Sequence, residues 1–194
     1  MIATIHGQQL DLRPLAEAHE PLYSRLYTDP LALHQIASAQ DASSAAHGFR
    51  AALQFNAATQ PVRIFWVIQE RASFQALGLI GLSLDEPGGA EVGVLLPEEH
   101  QGRGVATQAI AALADHAFAV MQLQRLHTRH DPGHALAAGL MATLGFEQMA
   151  PAAGSGRWRW QLTQRRWAAS PRRLSTANPL PSGGLFQDGI RGHG

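Results

Sequence analysis

Two glycines one residue apart, Gly102 and Gly104 in the run Gln101-Gly102-Arg103-Gly104-Val105-Ala106-Thr107, make this stretch of the chain the best suited to gripping an anion. Without side chains they let the backbone turn sharply and bring its N–H groups close to a bulky ligand. The residues that follow have helical spacing. Ala106, Ile110, Leu113, Ala117 and Val120 form one apolar stripe, and seven alanines between 106 and 119 add helix propensity. A helix opening at Gly104 aims its unpaired N–H groups and its positive dipole end at the same point. The apolar run Val92-Gly93-Val94-Leu95-Leu96 precedes the loop, so strand, loop and helix together build a phosphate seat.

Several phosphate-loop chemistries compete for this seat. A nucleoside-triphosphatase loop needs a Gly-Lys-Ser/Thr ending, and the chain contains no lysine. A dinucleotide fingerprint needs Gly or Ala at 107, where Thr107 stands, and an acidic residue about twenty positions on in a βαβ unit. A ligand-free tight connection is the plain alternative. Other chemistry-bearing residues are sparse. With zero cysteines there is no disulfide, no thiolate metal site and no Cys nucleophile. His127, His130 and His134 look like a cluster, but in a strand His127 and His130 face opposite sides, so at most one joins His134 and no metal site is expected. Glu98 and Glu99 sit beside the seat, where they would repel an anion unless turned outward; both are read as surface residues.

The pattern Gln/Arg-x-x-Gly-x-Gly/Ala is met by Gln101-Gly102-Arg103-Gly104-Val105-Ala106 directly after a strand. Here the chain resembles the GCN5-related N-acetyltransferase (GNAT) superfamily, and within it the RimJ/RimL-like branch. Leu144-Gly145-Phe146, closing a later helix, is a second match at the right order and separation. The resemblance spans about residues 8 to 163. It implies that residues 101 to 107 hold the pyrophosphate of acetyl-CoA, and that a backbone N–H in Val94, Leu95 and Leu96 meets the thioester oxygen. It also puts Glu91 on the acceptor side, as candidate base for deprotonating an amine. The chain departs from its relatives where an Asn and a Ser usually precede Leu-Gly-Phe, since His134 and Ala137 stand there. A helical tyrosine that commonly protonates the leaving thiolate is also missing, with Leu140 and Met141 in its neighbourhood. His134, with an unperturbed pKa near 6.5, is the candidate proton shuttle in its place, set against a plain role as helix N-cap.

These residues need a scaffold, and the chain supplies one. Leu10 to Leu15 alternates as a first strand, Leu15 to Tyr27 has helical spacing, and Asp41 caps a helix from about Ala42. Arg63–Glu70 and Gln75–Leu84 read as an antiparallel hairpin, and Asp85 to Gly89 turns the chain into the strand at 90–96. A strand at 124–130, a helix at about 134–143 capped by Gly145, and a strand at 157–162 complete an α+β fold. It is a single domain over 1–163 with a mixed, mostly antiparallel central sheet flanked by helices, as in GNAT proteins. Residues 164–194, rich in Pro, Gly and Ser, read as a disordered tail. Tyr23, Tyr27 and Trp66 are candidates for an acceptor pocket or for plain core.

At 194 residues the chain suits one well-buried domain, and its formal net charge of zero argues against a nucleic-acid binder with a broad basic face. An arginine cluster (Arg157, Arg159, Arg165, Arg166, Arg172, Arg173) is read as solvated. No run of eighteen apolar residues occurs and the N-terminus lacks a signal-peptide pattern, so no membrane partner and a cytoplasmic location are expected. The resulting expectation is an acetyl-CoA-dependent N-acetyltransferase acting on a protein N-terminus or a small amine by direct transfer in a ternary complex, a homodimer being allowed. The rival expectation is a CoA-binding or sensory module of the same fold that has lost its proton donor.

Overall fold

The computed structural model of the chain describes residues 1–33, 39–150 and 156–171. Among the described residues, eight strands form one sheet in the order β1-β2-β3-β4-β5-β6-β8-β7. They are β1 (Ile5–His6), β2 (Leu10–Pro14), β3 (Arg63–Glu70), β4 (Ala76–Glu86), β5 (Gly89–Leu95), β6 (Arg125–His130), β7 (Glu147–Met149) and β8 (Trp158–Thr163). Every neighbouring pair is antiparallel except β5 and β6, which are parallel. The expected α+β arrangement, with a mostly antiparallel sheet, is what the chain adopts.

Helices cover both faces. Strand alternation sends Ile64, Trp66, Ile68, Ile80, Leu82, Ala90, Val92, Leu126 and Leu162 to one side, where they pack with α4 (Val105–Ala119) and α5 (Ala135–Leu144). On the other side Val67, Leu79 and Leu95 meet α1 (Glu20–Thr28) and α3 (Ala42–Ala57). A single turn, α2 (Pro30–Leu33), follows α1. The Asp41 side chain caps α3 by accepting from the Ser44 N–H at 2.8 Å. This bond holds the Asp41 carboxyl below the usual carboxylate range.

α4 differs from the expected single stripe. Nine of its residues are buried, from Val105 to Phe118 and including Ala109, Ala111, Ala112 and Ala114, whereas Val120 lies beyond the helix and is 65% exposed. The alanines let neighbours approach on nearly every side, so the helix is a core element. The domain also runs past the expected end at residue 163. Gln164–Ala168 form a short helix, α6, whose Trp167 is 2% exposed and donates its indole N–H to Asp115 of α4 at 2.8 Å. Arg166 beside it donates to the Gly145 carbonyl and pairs with Glu147. The remainder of the expected tail, from residue 172 on, lies outside the described residues, and Arg172 and Arg173 with it.

Candidate active site: a strand fork and a glycine loop

β5 and β6 pair only at Gly89↔Arg125, Ala90↔Leu126 and Glu91↔His127. Beyond Glu91, β5 stays on β4 through Val92↔Leu82, Gly93↔Gly81, Val94↔Ile80 and Leu95↔Leu79, while β6 stays on β8 out to His130↔Trp158. The two strands therefore part after Glu91 and His127. From Val92 to Leu95 one edge of β5 has no strand beside it among the described residues, so N–H and C=O groups on that edge are left for another partner. Val94, Leu95 and Leu96, the expected thioester-binding segment, lie on this free lip.

The glycine loop closes the end of the fork. From Leu96 the chain passes through Pro97 and a single 3₁₀ turn, Glu98–His100, into Gln101. The Gln101 amide donates to the Leu96 carbonyl at 3.0 Å, tying the loop to the lip. Gly102 and Gly104 have φ of +68° and +77°, left-handed conformations that only glycine adopts without strain, and a Cβ at either would find nothing within 4 Å. Among the described residues no side chain caps α4, and its first bond runs from the Gln108 N–H to the Gly104 carbonyl. Val105, Ala106 and Thr107 thus present N–H groups with no intrahelical acceptor at a spot with open space before it. Donors, dipole and room all suit a pyrophosphate. Arg103 is exposed beside it, with one contact to the Glu99 carbonyl at 3.5 Å. Glu98 and Glu99 are exposed, as expected, and Arg25 of α1 binds Glu99 at 2.7 Å. Its own backbone N–H, with Arg25, holds the Glu99 carboxyl below its ordinary range.

At the vertex of the fork, on the α1/α3 face, charged residues converge. Arg129 clamps Glu91 through two nitrogens, at 3.3 and 2.8 Å, and also reaches Asp85 at 3.2 Å. Asp85 in turn meets Nε2 of His127, which is 1% exposed, at 3.1 Å. The ligand atoms of Asp85, Glu91 and His127 lie within 4.8 Å of one another. The Arg129 guanidinium, bonded to both carboxylates, supplies the cation that a metal would have to replace, so the geometry is that of an ion-pair network. Next along this face, Gly93 has no atom within 4 Å of a Cβ position, which leaves a bare strip of β5 beside Glu91. Spacing alone did not single out Asp85, His127 or Arg129 as partners of Glu91. The alternation of His127 and Arg129 put them on one face, but their facing strand is known only from the register.

The histidines separate as the alternation predicts. His127 faces α1 and α3, whereas His130 approaches His134 edge-on at 5.9 Å between ring centres. His134 is the N-cap of α5, its Nδ1 accepting from the Ala137 N–H at 3.4 Å. Of the proposed pocket aromatics, Trp66 is buried on the α4 face and donates to the Ala3 carbonyl. Tyr23 and Tyr27 lie on the opposite face, stacked at 4.3 Å. Burial raises the pKa of both phenols, so they are weak acids and stay neutral.

A sheet that opens between parallel strands above a helix N-terminus and a glycine loop can seat a phosphate-bearing coenzyme beside a free strand edge. The comparisons agree. A family model described as an acetyltransferase (GNAT) domain matches residues 9–147. The chain belongs to the GNAT acetyltransferase family. It is similar to an uncharacterized N-acetyltransferase, p20, of Bacillus licheniformis, 24% identical over 149 residues that make up 75% of this chain and 83% of that one. Its fold is similar to that of an acetyltransferase from Agrobacterium tumefaciens, with 26% identity, a TM-score of 0.71 and coverage of 84% and 95% of the two chains. RimL, a ribosomal L7/L12 alpha-N-protein acetyltransferase solved in complex with coenzyme A, shares the fold at 16% identity and a TM-score of 0.71, over 83% and 98% of the chains.

Proposed function

We propose that this acetyltransferase moves the acetyl group of acetyl-CoA directly to a primary amine held on the α1/α3 face, in a ternary complex, as a cytoplasmic enzyme. The observation that carries the reading is the fork, with a bare strand edge at Val94–Leu96 leading straight to an uncapped helix N-terminus behind two left-handed glycines. The open loop takes the pyrophosphate on the backbone N–H groups of residues 102 to 107, and the free edge of β5 donates to the thioester oxygen as charge grows there. With coenzyme and amine both held, positioning supplies much of the rate.

Glu91, at the vertex and next to Gly93 on the same face, receives the proton of the incoming ammonium. Two carboxylates there, Asp85 and Glu91, share the single guanidinium of Arg129, which leaves one carboxylate charge over. That suits an acceptor bringing one ammonium, such as a peptide α-amine or a small monoamine, better than a polycation. RimL acts on a ribosomal protein N-terminus, which agrees with this reading.

Purified protein incubated with acetyl-CoA and a panel of peptides, monoamines, aminoglycosides and polyamines, with thiol release followed, tests the proposal. Release with an amine supports transfer. Tight CoA binding without release under any acceptor supports the rival reading, a binding module, to which the missing Ser and Tyr of the family pattern point.

A further inference from the structure

The family pattern leaves the departing CoA thiolate without its usual tyrosine. Parallel register carries the place of a substitute. Counting on from the last pair, Glu91↔His127, residue 94 on β5 stands at the level of residue 130 on β6, across the opened fork. Val94 and His130 also share a face: Val94 packs against the core under α4, and the His130 ring stacks on Trp160 of that same core at 6.0 Å. A thioester held by the Val94–Leu96 edge therefore has His130 opposite it.

His130 is 7% exposed. Its Nδ1 meets the Asp131 carbonyl at 3.0 Å, which makes Nδ1 the donor and fixes the ring. Its Nε2 is buried and has no hydrogen-bond partner among the described residues, and the indole N–H of Trp160, stacked on it, has none either. Two orphaned polar atoms on stacked, buried rings are costly unless a ligand completes them. The carbonyl at Nδ1 leaves Nε2 as the atom that can carry a proton to and fro, as second partners of catalytic histidines do. His134, engaged as the α5 cap, is less suited to this task.

We propose that His130 is the acid that protonates the leaving CoA sulfur. This rests on the acetyl-transfer reading above. The amine nitrogen bonds to the acetyl carbon, the carbon–sulfur bond breaks with its electron pair going to sulfur, and the Nε2 proton of the His130 imidazolium passes to that sulfur. The products are the amide, CoA thiol and a neutral imidazole, and water reprotonates the ring after release. The ammonium gives one proton to Glu91 before attack and the nitrogen sheds a second to solvent as the carbon–sulfur bond breaks; with His130 reprotonated, one proton is released overall.

The test pairs His130→Gln with wild-type enzyme, using an acceptor that wild type acetylates. Glutamine keeps the size and hydrogen bonding of the ring and cannot act as the acid. The expected result is a fall in kcat of at least about 100-fold, with CoA affinity by calorimetry unchanged. A variant within threefold of wild type overturns the proposal while leaving the transfer reading intact; wild type that releases no thiol with any amine overturns the transfer reading itself. Should His130→Gln fail to fold, nitrogen NMR of the wild-type histidines decides. The His130 Nε2 resonance moves on adding CoA and stays in place on adding desulfo-CoA, and no movement with CoA overturns the contact.

Discussion

Gly104 separates binding by backbone from every other account of the loop. Its φ of +77° with open space at the Cβ position means that a side chain there meets strain but no clash. A left-handed L-residue costs about 1–2 kcal/mol, so Gly104→Ala should lower Tm by roughly 2–8 °C, given about 2–4 °C per kcal/mol for a domain of this size. Gly104→Gln adds length and Gly104→Glu adds length plus a charge. A carboxylate about 4 Å from one phosphate charge in a watery site costs about 1 kcal/mol, and a pyrophosphate offers two, hence about 2 kcal/mol or thirtyfold in affinity beyond glutamine. That extra loss should shrink as salt rises from 0.05 to about 1 M, because the screening length falls to about 3 Å. Calorimetric titration of CoA into all three variants and wild type measures each increment. If Glu and Gln variants bind CoA equally at low salt, no diphosphate sits at the α4 N-terminus, and the site described above is wrong in its central feature.

Four further expectations concern the scaffold and the site it carries. Trp167→Ala removes a 2% exposed ring and its bond to Asp115, and should cost about 3–5 kcal/mol, read as a Tm loss of roughly 6–20 °C; truncation after residue 163 should do as much or more. Asp41→Ala should lower Tm at neutral pH and not at low pH. The folded carboxyl is held below its unfolded value, so its stabilisation is present above about pH 4 and is lost as pH falls through the folded pKa, and thermal melts from pH 7 to 3 check that convergence. Gly93→Ala, with nothing within 4 Å, should leave Tm unchanged within about 2 °C and raise KM for the amine. Gly78→Ala would bring its Cβ to 2.5 Å from the Leu95 carbonyl oxygen, and should lower both stability and kcat by moving the lip of the fork.

Local chemistry made much of this legible from sequence. Asp41 before an apolar-periodic run, the paired β-rich runs around residues 71–74, and Gly145 after Leu144 each specify an element through a bond or dihedral within a few residues, and each is present. The elements that escaped are those that tertiary contact alone sustains. β1 has two residues and β7 three exposed ones, so neither carries a period; α6 is anchored by Trp167 reaching α4 and Arg166 reaching Gly145 and Glu147. The phosphate loop was visible because its requirement, two glycines and a helix start, is local. The fork was not, since it consists of where pairing between residues some thirty-six apart stops, and pairing length leaves no mark on composition.

The same distinction explains why the chain can depart from its relatives at several side chains and still offer a site. An Asn, a Ser and a Tyr act through their own atoms, and the loss of each removes a specific donor. The loop and the β5 edge act through main-chain amides, which any sequence supplies once the strands diverge and the glycines turn. What must then be restored by side chains is the traffic of two protons, one from the amine and one to the sulfur. The fork divides these between its faces: Glu91 lies toward α1 and α3 at the vertex, and His130 lies toward α4 three residues further out on the opposing strand. Alternation within β6 makes the separation unavoidable, because His127 and His130 point to opposite sides of one strand. The sheet therefore places one candidate on each side of the fork.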